Sequence, residues 1–202
     1  MNIQNSIHNI SFGKKLEAKC SILGADKQPQ ECFIYKLEPY IDDDYFIKIQ
    51  NRNAWQGAEY YDFIKNEMKF IEKEPYRSIY TMETPKGSCI AYGEISNRDN
   101  AYKLEILETI PIWTSNNKHE KPKPKYIGET LMSFFTKKAL NDGKEKINVE
   151  SAIDAFDFYS QKCHFEQEEN EAEYKFTLKK GNFQKLLEQN EQHTKGSINL
   201  IV

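Results

Sequence analysis

Three strand-like segments follow one another in the middle of the chain, separated by two turn sequences. Ser78–Glu83, Ser88–Ile95 and Tyr102–Ile112 are rich in β-branched and aromatic residues, whereas Thr84–Gly87 and Ser96–Asn100 carry residues typical of turns. Strands joined by short turns pair side by side in opposite directions. The sequence therefore predicts a three-stranded antiparallel meander. The even-numbered residues of the third strand are predicted to share one face.

Helical patterns lie on both sides of this meander. Residues 55–73 carry apolar side chains at helical spacing, and Pro75 would end that helix. A second helix is predicted from Gly128, with one apolar face formed by Leu131, Phe134, Phe135 and Ala139. Residues 112–124 are predicted to form an exposed loop between the meander and this helix. Further strands are expected at Cys32–Leu37, Ile147–Glu150 and Glu173–Leu178, and further helices at residues 152–162 and 182–192. This order of elements predicts a mixed α+β domain.

Composition narrows the functional classes. The chain has 202 residues with 39% hydrophobic and 29% charged residues, which favours one packed domain with or without tails. Its 28 Lys and Arg residues nearly balance 31 Asp and Glu residues, so we expect neither a nucleic acid nor a membrane surface as partner.

The sequence predicts neither a targeting segment nor a metal site. No apolar run approaches the roughly twenty residues that span a bilayer, and the polar start does not resemble a secretory signal. The four widely spaced cysteines predict free thiols in a cytoplasmic protein. The four histidines lack ligand-like spacing, so no metal site is predicted.

Glycine is scarce, which gives the junction at Gly128 more weight. Nine glycines are too few for a fold with several glycine-rich phosphate loops. Gly128 stands where a loop enters a helix, and a glycine there lets a ligand approach the free N–H groups at the positive end of the helix dipole. This pattern is suited to a phosphate or pyrophosphate, although a simple turn explains the glycine equally well.

Two segments resemble motifs of the GNAT superfamily of N-acetyltransferases. Lys125-Tyr126-Ile127-Gly128-Glu129-Thr130 is similar to the acyl-CoA motif at a helix start. Ala155, Phe158, Tyr159 and Phe165 match a later helix of the family. The resemblance covers residues 31–178, and it implies a mixed, mostly antiparallel central sheet flanked by helices. It also implies acetyl-CoA as co-substrate and no metal.

The chain departs from the family pattern at several positions. Lys125 replaces a Gln or Arg, Thr130 replaces a glycine or alanine, and Glu129 places a negative charge beside the expected pyrophosphate. That charge is tolerable only if its side chain points away from the site. The stretch between Tyr159 and Phe165 is one residue longer than in the family, which leaves Ser160 as an alternative to Tyr159.

The resemblance implies roles for particular residues. Tyr159 would donate a proton to the leaving thiolate, unless it is a core aromatic residue. The backbone near Glu108, Thr109 and Ile110 would pair with the pantetheine arm. The cofactor-binding residues at the helix start would be Lys125, Ile127, Gly128, Glu129 and Thr130.

Glu108 is the candidate base because it interrupts an apolar strand face. The alternatives for this residue are a bulge that turns it to solvent, or an ion pair. Glu94 and Glu105 are further candidates on the neighbouring strands.

The resulting hypothesis is an N-acetyltransferase that transfers an acetyl group from acetyl-CoA to a primary amine by direct attack. The acceptor, a small-molecule or peptide amine, is not identified by the sequence. The alternatives are a catalytically degenerate GNAT-fold module that binds CoA or a protein, and an interaction protein with an unrelated sheet. We expect an arm at residues 1–20, the GNAT-like domain at 21–180 and an extension at 181–202. The apolar end Ile198–Val202 can add a strand to the sheet or to a partner, so a homodimer stays open, or it can fray.

Overall fold

The computed structural model describes residues 13–38, 66, 73–109, 124–168 and 174–201. Within these ranges nine strands form one sheet, accompanied by two α-helices. The strands are β1 (Lys14–Leu23), β2 (Pro29–Leu37), β3 (Arg77–Glu83), β4 (Cys89–Arg98), β5 (Ala101–Thr109), β6 (Lys146–Glu150), β7 (Glu166–Gln167), β8 (Lys175–Lys179) and β9 (Asn199–Leu200). The helices are α1 (Ile127–Asn141) and α2 (Lys180–Thr194).

The sheet has the strand order β7-β8-β6-β5-β4-β3-β2-β1-β9. Neighbouring strands are antiparallel except for β5 and β6, which are parallel. A parallel pair requires a crossover connection, and α1 lies between these two strands in the chain. The predicted meander and the mixed, mostly antiparallel sheet are therefore confirmed.

Helix α1 packs its apolar face against the sheet. The four residues predicted for that face are fully buried. Tyr80 of β3 meets the rings of Phe134 and Phe135 edge-on, with centroids 5.2 and 5.6 Å apart. These contacts fix the position of α1 over the centre of the sheet.

The C-terminal extension packs onto the same side of the molecule. Helix α2 buries one stripe of residues at helical spacing: Phe183, Leu186, Asn190 and Thr194. Strand β9 then pairs antiparallel with β1, with Leu200 opposite Ala18. Of the three possibilities for the apolar end, the structure shows addition of a strand to the chain's own sheet. Strand β1 begins at Lys14, inside the segment expected as an arm.

Several element boundaries differ from the prediction. Strand β4 runs on to Arg98, so much of the predicted turn at Ser96–Asn100 is strand instead. The helix predicted at residues 152–162 is a 3₁₀ turn at Ile153–Ala155 followed by a π-helical turn at Phe158–Lys162. The predicted helix at 55–73 and the loop at 112–124 lie almost entirely outside the described residues. Neither described helix has the length and apolar character needed to cross a bilayer.

Candidate functional site

Strands β5 and β6 diverge and leave a cavity between them. Their pairing runs from Ala101 opposite Lys146 to Leu104 opposite Val149. Beyond that point β5 continues to Thr109, paired only with β4 in the described part of the chain. The edge of β5 over residues 105–109 thus presents its backbone to a cavity of about 1130 Å³. An extended ligand can pair with such an edge.

A bulge in β5 marks the start of the divergence. Ile106 pairs with Glu94 and Leu104 pairs with Ile95, so Glu105 is an extra residue in β5. An extra residue shifts the alternation of side chains along a strand. The prediction that all even-numbered residues of this strand share one face was therefore wrong.

The first turn of α1 forms one wall of the cavity. Tyr126 precedes the helix in the left-handed region, with φ at 63°, and no described side chain caps the helix. A Cβ atom on Gly128 would lie 3.3 Å from Cζ of Phe158 and 3.4 Å from Cγ2 of Thr109. Gly128 therefore lets three walls of the cavity meet closely, and the first-turn N–H groups are not blocked by a capping side chain.

The side chain of Glu129 is held by the C-terminal helix. Its carboxylate is buried, accepts a hydrogen bond from Nε2 of Gln189 at 3.2 Å and lies 2.9 Å from Nδ1 of His193. Both partners belong to α2 and also line the cavity. The negative charge of Glu129 is therefore engaged by α2.

Thr130 does not contribute its side chain to the cavity. Its hydroxyl is fully buried, accepts a hydrogen bond from Nδ2 of Asn190 at 3.0 Å and donates to the carbonyl oxygen of Ser21 at 3.4 Å. Both hydrogen-bonding directions of this hydroxyl are thus used by β1 and α2. Lys125, by contrast, lies exposed at the cavity and joins β1 through its backbone N–H.

The segment that carries Tyr159 contains a π-helical turn. The N–H of Cys163 donates to the carbonyl oxygen of Phe158 at 3.0 Å, one residue further than in an α-helix. His164 then adopts a left-handed conformation with φ at 59°. This turn therefore holds one residue more than an α-helical turn.

Tyr159 lines the cavity, whereas Ser160 does not. The Tyr159 ring is buried and contacts the rings of Phe158 and Phe165 edge-on. The hydroxyl of Ser160 donates to the carbonyl oxygen of Phe156 at 2.9 Å. Of the two candidates for the proton donor, only Tyr159 therefore faces the cavity.

Two ionisable groups in the cavity have shifted pKa values. Burial raises the pKa of Tyr159, with smaller contributions from Cys163 and Glu108. The phenol therefore keeps its proton at neutral pH. Partial burial raises the pKa of Glu108, and the negative charge of Asp154 adds to this effect.

The other carboxylates considered as bases are engaged elsewhere. Glu94 is buried and forms an ion pair with Arg77. Glu105 lies at the cavity but accepts a hydrogen bond from Ser96 at 2.5 Å and pairs with Lys103. Glu108 also lines the cavity. Ile110 lies outside the described residues.

The sequence motifs assign no role to Tyr126, Gln189 or His193, which also line the cavity. The spacing of Gln189 and His193 places them on one face of a helix, which is a signal the sequence does carry. Their partner Glu129 lies 60 and 64 residues away along the chain, so no local pattern reveals the contact.

Comparison with known proteins supports the fold. No protein-family model and no curated protein matches the chain by sequence. Among solved structures, AtaTR bound with acetyl-CoA is similar over 77% of this chain and 97% of that chain, with 14% identity and a TM-score of 0.56. AtaT complexed with acetyl-methionyl-tRNAfMet covers 77% of this chain and 98% of its own, with 14% identity and a TM-score of 0.54.

A third solved structure gives the same result. A spermidine N-acetyltransferase SpeG chimera, from Vibrio cholerae and hSSAT, is similar over 76% of this chain and 98% of that chain, with 12% identity and a TM-score of 0.52. At such low identity these matches establish the architecture. The protein has the fold of the GNAT acetyltransferases.

Proposed function

We propose that the protein binds acetyl-CoA between β5 and β6 and transfers the acetyl group to a primary amine. The observation that carries the proposal is the convergence of three features on one cavity: the diverging edge of β5, the first turn of α1 and the buried Tyr159. Each feature matches a different part of an acyl-CoA molecule and its reaction.

The cavity residues fit the chemical groups of acetyl-CoA. The backbone of residues 105–109 can pair with the amides of the pantetheine arm, since β6 no longer pairs with it there. The first turn of α1 can receive the pyrophosphate because helix N-termini attract anions. The carboxylate of Glu129 is held by Gln189 and His193 of α2, which compensate part of its charge with hydrogen bonds.

Two side chains of the protein, Glu108 and Tyr159, carry out the proton transfers of the reaction. Acetyl-CoA brings the activated thioester, whose C–S bond breaks as the bond from the amine nitrogen to the acetyl carbon forms. Glu108 takes up the proton that the amine loses, directly or through water, and its raised pKa suits a base. Tyr159 retains its proton at neutral pH and donates it to the departing sulfur.

Calorimetric titration with acetyl-CoA tests the binding step. No heat of binding at millimolar acetyl-CoA would overturn the proposal. Release of free thiol with a panel of primary amines then tests the transfer step. Binding without thiol release from any amine would favour the catalytically degenerate module instead.

Two matched variants test the proton donor. Tyr159→Phe should keep its affinity for acetyl-CoA but lose about a hundredfold in transfer rate, because it removes only the hydroxyl group. Ser160→Ala should keep the transfer rate, since that hydroxyl is bonded to the backbone and lies outside the cavity. The reverse result would assign the donor to Ser160.

A further inference from the structure

The C-terminal helix α2 contributes side chains to the cavity, although almost all of it lies in the segment expected as an extension beyond the domain. Gln189 and His193 line the cavity beside the first turn of α1. We propose that α2 completes the co-substrate site and that Gln189 is a positioning residue, which holds the first turn of α1 and the Tyr159 turn in register. This inference rests on the proposed function, since it concerns the same site.

The side-chain amide of Gln189 links the two walls directly. Its Nε2 atom donates to the carbonyl oxygen of Lys162 at 2.8 Å and to the carboxylate of Glu129 at 3.2 Å. Its Oε1 atom lies 2.7 Å from Nε2 of His164. Both amide N–H groups and the amide oxygen are thus used. One side chain therefore joins the start of α1 to the end of the Tyr159 turn.

The contact with Glu129 determines whether an anion can bind at α1. A buried carboxylate needs hydrogen-bond donors, and Gln189 and His193 provide them from α2. The His193 ring also stacks on Tyr126, with centroids 4.5 Å apart. Helix α2 therefore fixes both the residue before α1 and the charge in its first turn. A released carboxylate would instead lie beside the expected phosphates and repel them.

The contacts with Lys162 and His164 act on the other wall. Lys162 is the last residue of the π-helical turn, and His164 holds the left-handed conformation that redirects the chain after it. Gln189 bonds both residues, so it constrains the turn on which Tyr159 stands. We expect its loss to affect the placement of the phenol as well as the affinity for the co-substrate, since small displacements of reacting groups strongly slow a reaction.

Gln189→Met is the most direct test, because methionine keeps the length of the side chain and removes its hydrogen bonds. We expect CoA to bind about tenfold more weakly by calorimetry, the loss typical of a hydrogen bond to a charged group. With an accepted amine, kcat at saturating acetyl-CoA should fall as well after it has been normalised to the folded fraction measured by circular dichroism, because misplacement of the phenol slows each folded molecule. Gln192→Met provides the matched control, since Gln192 is exposed on the same helix.

A second variant at the same position tests the effect of an added charge. Gln189→Glu keeps an oxygen that can face His164 but cannot donate to Glu129 or to Lys162, and it adds a second carboxylate there. It should bind CoA more weakly than Gln189→Met. If the natural protein binds CoA and both variants bind it as tightly as the natural protein does, this inference alone is overturned. If the natural protein does not bind CoA, the proposed function is overturned and the inference with it.

Discussion

The ring of Phe135 in α1 packs directly on Gly93 in β4. A Cβ atom on Gly93 would lie 2.8 Å from Cε2 and 2.9 Å from Cζ of that ring. These distances are shorter than any normal van der Waals contact between carbon atoms. The absence of a side chain at Gly93 therefore sets how closely α1 approaches the sheet, and with it the position of the helix start at the cavity.

Gly93→Ala should lower the free energy of unfolding by about 1–3 kcal/mol, since overpacking forces neighbouring groups out of place. Urea denaturation measures this change. Gly181→Ala is the matched control, because an added methyl group at the start of α2 meets nothing within 4 Å. That variant should be as stable as the natural protein or gain up to about 1 kcal/mol. Equal stability of Gly93→Ala and the natural protein would contradict the packing described here.

His164 provides a test of backbone conformation. Its φ of 59° is favourable for glycine and costly for most other residues. His164→Gly and His164→Ala both lose the contact with Gln189, so the difference between them isolates the backbone. We expect the glycine variant to be more stable than the alanine variant by about 1 kcal/mol in urea denaturation. An alanine variant of equal or greater stability would argue against the left-handed conformation.

Glu108 predicts a specific dependence of stability on pH. Its pKa in the folded protein is raised from the ordinary 4.5. At pH values between the pKa of the unfolded state and the raised pKa of the folded state, the folded state therefore binds more protons than the unfolded state. The stability of the natural protein should therefore fall as pH rises through that interval. Glutamine does not titrate, so the stability of Glu108→Gln relative to the natural protein should increase between pH 4 and pH 7.

Thermal melts of both proteins at pH 4 and pH 7 measure this effect. Asp154→Asn offers a further check, because the charge of Asp154 contributes to the raised pKa. Removing that charge should reduce the pH dependence attributed to Glu108. A stability difference that stays constant with pH would show that Glu108 has the same pKa in both states.

The four cysteines should be unreactive in the folded protein. All four are buried, and burial raises the pKa of each thiol, to about 12 for Cys32. Because the thiolate is the reactive form, an aromatic disulfide reagent should label them slowly in buffer and should label all four in denaturant. Rapid labelling of the native protein would contradict the described burial. This result also matters in practice, since thiol release is the assay for acetyl transfer.

Local patterns were sufficient to predict the meander and α1. Alternating residues between strong turn sequences predict hairpins, and the apolar face that includes Leu131 and Phe135 predicts a helix packed on a sheet. The same patterns failed where an extra residue enters an element. The bulge at Glu105 and the π-helical turn at Phe158–Lys162 depend on contacts with neighbouring strands and helices. A single sequence does not show where the regular hydrogen-bond pattern is interrupted.

The candidate site shows the same division between local patterns and contacts from distant segments. Gly128 and Tyr159 stand out within short motifs, so the sequence alone identifies them. The orientation of Glu129 depends on donors from α2, and the burial of Thr130 depends on Asn190. Such contacts between distant segments leave no local signal.

The long separations along the chain around the start of α1 have a consequence for folding. Glu129 meets residues 60 and 64 positions away, and Thr130 meets Ser21 across 109 positions. Contacts this distant form only after large loops have closed, which costs entropy before any contact is gained. The cavity is thus a product of the complete tertiary structure. The affinity for CoA should therefore serve as a reporter of how much of a protein preparation has reached its native state.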